Sequence, residues 1–191
     1  GIDHRVGADG PWETKRVLGT VPVESDGSAL FRVPAKTPIS LQPLDAEGKA
    51  VALMRSWMTA QPGENVSCVG CHETQNSTPP TRQTLASRRK PAEIAPWYGP
   101  ARGFSFTRDV QPTLDKFCVC CHSPDKKVLP DLTAKKERGW RGFTPSYIAL
   151  HPFVRRPGPE SDYHLQKPLE FHANTSELIQ MLEKGHYNVK L

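Results

Sequence analysis

Two short runs of this sequence share a spacing that sharply limits what can surround them: Cys68-Val69-Gly70-Cys71-His72 and Cys118-Val119-Cys120-Cys121-His122. Each reads Cys-x-x-Cys-His. The chain has five cysteines, an odd number, which argues against a plain disulfide framework. With five cysteines and seven histidines in 191 residues, one such run arises by chance with a probability of about 0.005, and two arise on the order of once in 100,000 chains. The run is the attachment signature of c-type haem. Two thiols add across the haem vinyl groups, and the two intervening residues set the reach between them. The adjacent histidine falls under the iron as an axial ligand. Only Cys118 and Cys121 have this spacing in the second run, so Cys120 is a spare, inert thiol at the haem edge.

Two covalently bound haem c groups are therefore expected. Cys68, Cys71, Cys118 and Cys121 would hold them, with His72 and His122 on the irons. Two other readings of the same residues stand beside this one. The four cysteines could form a Cys₄ zinc site with a long insert, or a pair could act as a thioredoxin-like redox dithiol. Zinc does not require a histidine directly after each pair, yet both pairs have one.

The sixth iron ligands must come from the remaining histidines or the methionines. The run "NTSELIQMLEKGH" reads as a helix capped by Asn174, with Glu177 at its third position. Leu178, Met181 and Leu182 form its apolar face and Gly185 ends it. His186 then lies in the loop just beyond and is the expected sixth ligand of the second haem. Met181, on the apolar face, is expected to pack in the core. For the first haem the order of candidates is His172, His164, then His4, and an open sixth position is the alternative. His151 stands before Pro152 beside an apolar run and reads as structural or surface.

Further along the same lines, residues 16–54 read as strands. "SALFRV" alternates, with Ala29, Phe31 and Val33 on one face. Asp26-Gly27 and Glu47-Gly48 are hairpin-type turns, and Pro22, Pro34, Pro38 and Pro43 suit short or edge strands. A helix over Val110, Leu114 and Phe117, capped by Asp109 with Pro112 in its first turn, runs into the Cys118 motif. The fold class expected is α+β, a small antiparallel β-sandwich carrying haem 1 followed by a small, mainly helical cytochrome c domain carrying haem 2. The boundaries are a β-rich domain at 1–74, a Pro-rich linker at 75–106 and the cytochrome c-like domain at 107–191.

Composition bounds the rest. Pro 19 and Gly 14 make about 17% of the chain against a usual share of roughly 12%, which favours turns and short strands. No run reaches the roughly 18 apolar residues of a membrane helix, so no membrane span is expected. The formal charge of +5 is spread out, without aromatic interleaving, and no nucleic-acid partner is expected. Haem propionates would lower that charge by roughly four. Haem c is attached outside the cytoplasm, so a periplasmic or otherwise exported protein is expected. The abrupt ends suggest a processed form or a piece of a longer protein.

The ordered runs "GTVPVESDGSALFRVPAKTP", "LQPLDAEGKAVALMRSW", "GENVSCVGCHE" and "GFSFTRDVQPTLDKFCVCCH" resemble, over nearly the whole chain, the dihaem C-terminal portion of the hydrazine synthase alpha subunit and its planctomycete-type relatives. The resemblance implies a β-rich middle domain with one haem and a following cytochrome c domain with the other. It implies bis-histidine ligation and electron transfer at the second haem, carried here to His122. In that family a tyrosine just after the motif binds the first iron, and the motif histidine turns to zinc. Here no tyrosine precedes Tyr98 and Asn76 stands near that place, a departure that weighs against hydrazine synthesis.

The function expected is therefore a dihaem cytochrome passing electrons between redox partner proteins, other cytochromes or further subunits. The alternative is a haem enzyme acting on a small nitrogen compound or peroxide at an open first haem. A zinc-stapled β-domain serving as an interaction module is the third reading.

Overall fold

Two tight turns of one kind organise the first half of the chain. At Glu24–Ser28 the Gly27 N–H donates to Glu24 O at 2.9 Å and the Glu24 N–H donates to Ser28 O at 2.8 Å, with Gly27 at φ 81°. At Asp45–Lys49 the Gly48 N–H donates to Asp45 O at 3.1 Å and the Asp45 N–H to Lys49 O at 2.9 Å, with Gly48 at φ 79°. Each is a hairpin loop whose last residue is left-handed, the position that glycine occupies without strain. The computed structural model describes residues 15–69, 82–126, 128–135, 142–157 and 166–189.

The chain divides into two compact units. A β-rich unit holds Arg16–Leu41 and Met54–Arg102; a helical unit holds Gln42–Leu53 and Gly103–Leu191. The division differs from the linear one read from the sequence. The second hairpin leaves its sequence neighbours for the helical unit, and residues 82–102 of the Pro-rich stretch are built into the β-rich unit.

In the β-rich unit the extended runs pair through isolated bridges. Thr20 and Ala95 exchange two backbone bonds of 2.9 Å, as do Ile39 and Met58, and Phe31 bridges Ala92 in the parallel sense. Among the described residues, β1 (Arg16–Val17) and β2 (Arg102–Gly103) alone pair as strands. Proline accounts for the brevity. Pro22, Pro34 and Pro38 each remove a donor, so no ladder propagates past them. The alternation expected of "SALFRV" holds for Phe31 and Val33, half-buried between exposed Leu30 and Arg32, while Ala29 is exposed.

Residues 82–102 are tied to the first hairpin. Asp26 Oδ2 accepts from the Leu85 N–H at 2.9 Å, Ser28 Oγ accepts from the Ala86 N–H at 3.1 Å, and Arg89 pairs with Glu24. Ala86, within a 3₁₀ turn at Ala86–Arg88, is buried with Ile39 and Ala60.

The helical unit begins with a π turn at Phe106–Val110 that continues into α1 (Gln111–Phe117). The wide turn sits directly before Pro112, which has no N–H to give to the preceding turn. Ser105 is the residue at the N-terminal boundary. Asp109 does not cap α1, whose boundary residue is Val110; it lies inside the π turn, its Oδ2 accepting the Ser105 N–H at 2.7 Å. Beyond α1 come α2 (Pro145–Leu150) and α3 (Glu177–Lys184).

A buried polar chain holds α1 to its neighbours. Gln111 is 2% exposed and Ser146 0%. The Gln111 amide nitrogen donates to Leu132 O at 2.9 Å and to Asp115 Oδ1 at 2.8 Å, and its Oε1 accepts from Ser146 Oγ at 2.6 Å. Ser146 gives its one hydroxyl proton to Gln111, so the Thr144 hydroxyl is the donor to Ser146 Oγ at 2.9 Å, while its own oxygen accepts the Tyr147 N–H at 3.3 Å. Every donor in this chain has an acceptor, which makes a buried network of amide and hydroxyls tolerable.

At α3 the start differs from expectation. Ser176, not Asn174, is the N-terminal boundary residue, and Glu177 is the first helical residue. Asn174 instead belongs to a 3₁₀ turn at Ala173–Thr175, capped by the His172 ring, which accepts the Asn174 N–H at 3.3 Å. That turn occupies the place where the helix would otherwise begin. Gly185 ends α3 at φ 97°, as its position suggested.

Candidate haem site

The second Cys-x-x-Cys-His run is wound onto the end of α1. Cys118 N–H donates to Leu114 O at 2.8 Å, and the His122 N–H donates to Cys118 O at 2.9 Å. These bonds gather Cys118, Cys121 and His122 into successive turns of one coil. The Leu132 N–H returns to His122 O at 3.1 Å, so the Gln111 network, through Leu132, also braces this histidine.

The His122 ring is oriented by a backbone carbonyl. Its Nδ1 lies 3.1 Å from Pro130 O. A carbonyl only accepts, so the proton sits on Nδ1 and Nε2 keeps its lone pair for a metal. The His186 ring faces it, with centroids 6.0 Å apart and planes tilted by 38°. Metal–imidazole bonds of roughly 2 Å on opposite sides of one ion put the two ring centres about 6 Å apart. At that separation His122 and His186 would both be able to hold the iron of a haem attached at Cys118 and Cys121.

His186 is itself well placed. It follows Gly185 at the end of α3 and exchanges backbone bonds of 2.8 and 2.9 Å with Val189. Tyr187, at φ 52° within that turn, sets its ring edge-on to His186 at 4.9 Å.

Cys118 is half-buried, and Cys120 and Cys121 are exposed. Burial pushes the Cys118 thiol up, with smaller contributions from Cys120 and Cys121. Cys121 is pushed up chiefly by its hydrogen bond with the Cys120 thiol, 3.8 Å away. Exposed Phe117 and Leu129 flank the motif and offer apolar surface to a macrocycle.

Cys68 and Val69, both exposed in the β-rich unit, are the described members of the first run. Cys71, His72, His164, His4 and Asn76 lie outside the described residues. His172 is buried in the helical unit with both ring nitrogens engaged: Nδ1 accepts the Asn174 N–H, and Nε2 lies 2.8 Å from Asp45 Oδ2. In this arrangement it has no lone pair to offer a metal. His151 accepts a hydrogen bond from Arg156 Nη2 on Nδ1 at 2.7 Å. Met181 is half-buried on α3. The Pro130 carbonyl escaped sequence reasoning because the group that acts is backbone; a proline eight residues past the motif histidine is the trace it leaves.

Among the described residues, no group of three or more His, Cys, Asp and Glu side chains is arranged to hold a metal ion. Among the same residues no helix is long and apolar enough to cross a membrane.

A search of curated proteins and a search of solved structures returned no match. Residues 2–73 match the family model of the hydrazine synthase alpha subunit middle domain. The match spans a little over a third of the chain and takes in the first Cys-x-x-Cys-His run. It stops short of the second run, so it covers less than the likeness read over nearly the whole sequence. In its first third, then, the chain is similar to the middle domain of a hydrazine synthase alpha subunit.

Proposed function

We propose that this chain is a dihaem c-type cytochrome that passes electrons between redox partner proteins. The observation that carries the reading is the facing pair His122 and His186, each held by its own backbone contacts. Cys118 and Cys121 anchor the second haem; Cys68 and Cys71, with His72, serve the first. A haem supplies one-electron chemistry at its iron. The protein's part is to fix the ring that ligates on each side and to hold the His122 proton on Nδ1. Two histidines, rather than histidine and methionine, keep the potential toward the low end of the haem range. A filled sixth position suits electron transfer more than substrate binding. On this reading the protein works outside the cytoplasm, in the periplasm or exported, with other cytochromes or further subunits as its partners.

A second reading is favoured by the match over residues 2–73, which ends on the first haem motif. On that reading the first haem is an open catalytic site for a small nitrogen compound or peroxide, fed with electrons by the second.

The variant H186A tests the main reading. It should convert one low-spin haem to high-spin while both haems stay attached. An unchanged spectrum would remove His186 from the iron and with it the main support for the reading.

A further inference from the structure

The hairpin around Asp45 and Lys49 comes from the first third of the chain but folds within the helical unit. It grips the segment that leads to His186 at several points. The Leu169 N–H donates to Val51 O at 2.8 Å. Asp45 Oδ2 meets His172 Nε2 at 2.8 Å. Lys49 Nζ donates to Asn174 Oδ1 at 2.6 Å and to Glu183 Oε1 at 3.1 Å.

The turn is built to present these two side chains. Asp45 Oδ1 accepts the Glu47 and Lys49 N–H groups at 3.0 and 2.8 Å, which fixes the carboxylate and leaves Oδ2 pointing at His172. His172 passes the constraint on, because its other nitrogen caps the 3₁₀ turn ahead of α3. Lys49 bridges that turn to Glu183 in the last turn of α3. Leu169 is held at φ 65°, a conformation that a branched side chain takes only where surrounding contacts impose it. Two residues past Lys184, the last residue of α3, comes the His186 ring.

We propose that this hairpin is a clamp on the helix that delivers the sixth iron ligand, with Asp45, Lys49 and His172 as positioning residues for His186. The proposal rests on the reading of His122 and His186 as an axial pair. A short helix transmits a shift at its start to its end as a rigid body. Loosening the hairpin therefore lets the His186 ring leave the iron more often, without touching either haem attachment. The segment similar to a hydrazine synthase alpha middle domain would thereby set how tightly the second haem is closed.

The test uses the full, haem-loaded chain and the rate at which cyanide binds the second ferric haem. That rate is limited by departure of the sixth ligand. D45N and K49M should each raise it on the order of tenfold, and K49R should restore most of the difference. A merely structural role would lower the melting temperature and leave the cyanide rate unchanged, and that result would overturn the clamp. If D45N fails to accumulate, K49M, which alters partly exposed pairs, carries the test. H186A separates the two claims. If it gives a high-spin haem while D45N and K49M bind cyanide at the wild-type rate, the axial pair stands and the clamp falls. If H186A leaves the spectrum unchanged, both fall.

Discussion

The rings of His122 and His186 face one another at 6.0 Å although one follows α1 and the other follows α3. His122 is fixed by Pro130 O and by the Leu132 N–H on its own carbonyl, and His186 by Gly185 and the turn to Val189. Two imidazoles set independently at the separation of an axial pair constitute the most specific feature of the described structure.

Gln111 links α1, Leu132 and Ser146. Replacing it with leucine keeps the volume and strands a buried carbonyl and a buried hydroxyl. Unpaired buried groups cost roughly 1–3 kcal/mol. Gln111→Leu should lower stability by about 2 kcal/mol, read as a drop in the urea midpoint of the haem-loaded protein. A midpoint equal to that of the parent would show that the network is dispensable.

Gly19 sits at φ 148°, and a Cβ there would lie 2.1 Å from the backbone oxygen of Ala95. That oxygen is the acceptor for the Thr20 N–H. Gly19→Ala must break the Thr20–Ala95 bridge or move the chain, at a cost on the order of 2 kcal/mol or more. Amide exchange at Thr20 and Ala95 should accelerate sharply. Protection equal to that of the parent would contradict the contact.

The Asp26 carboxyl is held down at about 2, from an ordinary 3.8, first by the Ser28 hydroxyl and then by the Leu85 N–H. The folded state thus binds this proton less tightly than the unfolded state. The stabilisation is complete above about pH 4 and is lost as pH falls through about 2. Urea midpoints of the parent and of Asp26→Ala should differ at pH 5 and converge toward pH 2. A constant difference would mean that the carboxylate is not the origin.

Cys120 lacks the spacing for attachment and lies exposed beside Cys121. Cys120→Ser should leave haem content per chain and the reduced spectrum unchanged. A fall in haem content would mean that the third thiol takes part in attachment.

Much of this was legible in the sequence because it is local. Gly27, Gly48 and Gly185 end turns and a helix where glycine's free φ is needed, and Pro112 stands in the first turn of α1. The coil that gathers Cys118, Cys121 and His122 at the end of α1 is local as well. What was not legible depends on partners distant in sequence. His172 read as a candidate ligand because no sequence pattern reveals that Asp45 and the Asn174 N–H occupy both its nitrogens. Asn174 read as the cap of α3 because the 3₁₀ turn ahead of the helix has no signature of its own. The Pro-rich stretch read as a linker because proline punctuates chains, yet Leu85, Ala86 and Arg89 are tied to Asp26, Ser28 and Glu24.

The most direct test is the optical spectrum of the protein made in a host that matures c-type cytochromes, oxidised and dithionite-reduced, with haem counted per chain. Two covalently held haems are expected, with the one at Cys118 and Cys121 low-spin in both states. A protein without haem, or one whose Cys118 haem is high-spin with His186 intact, would contradict this expectation.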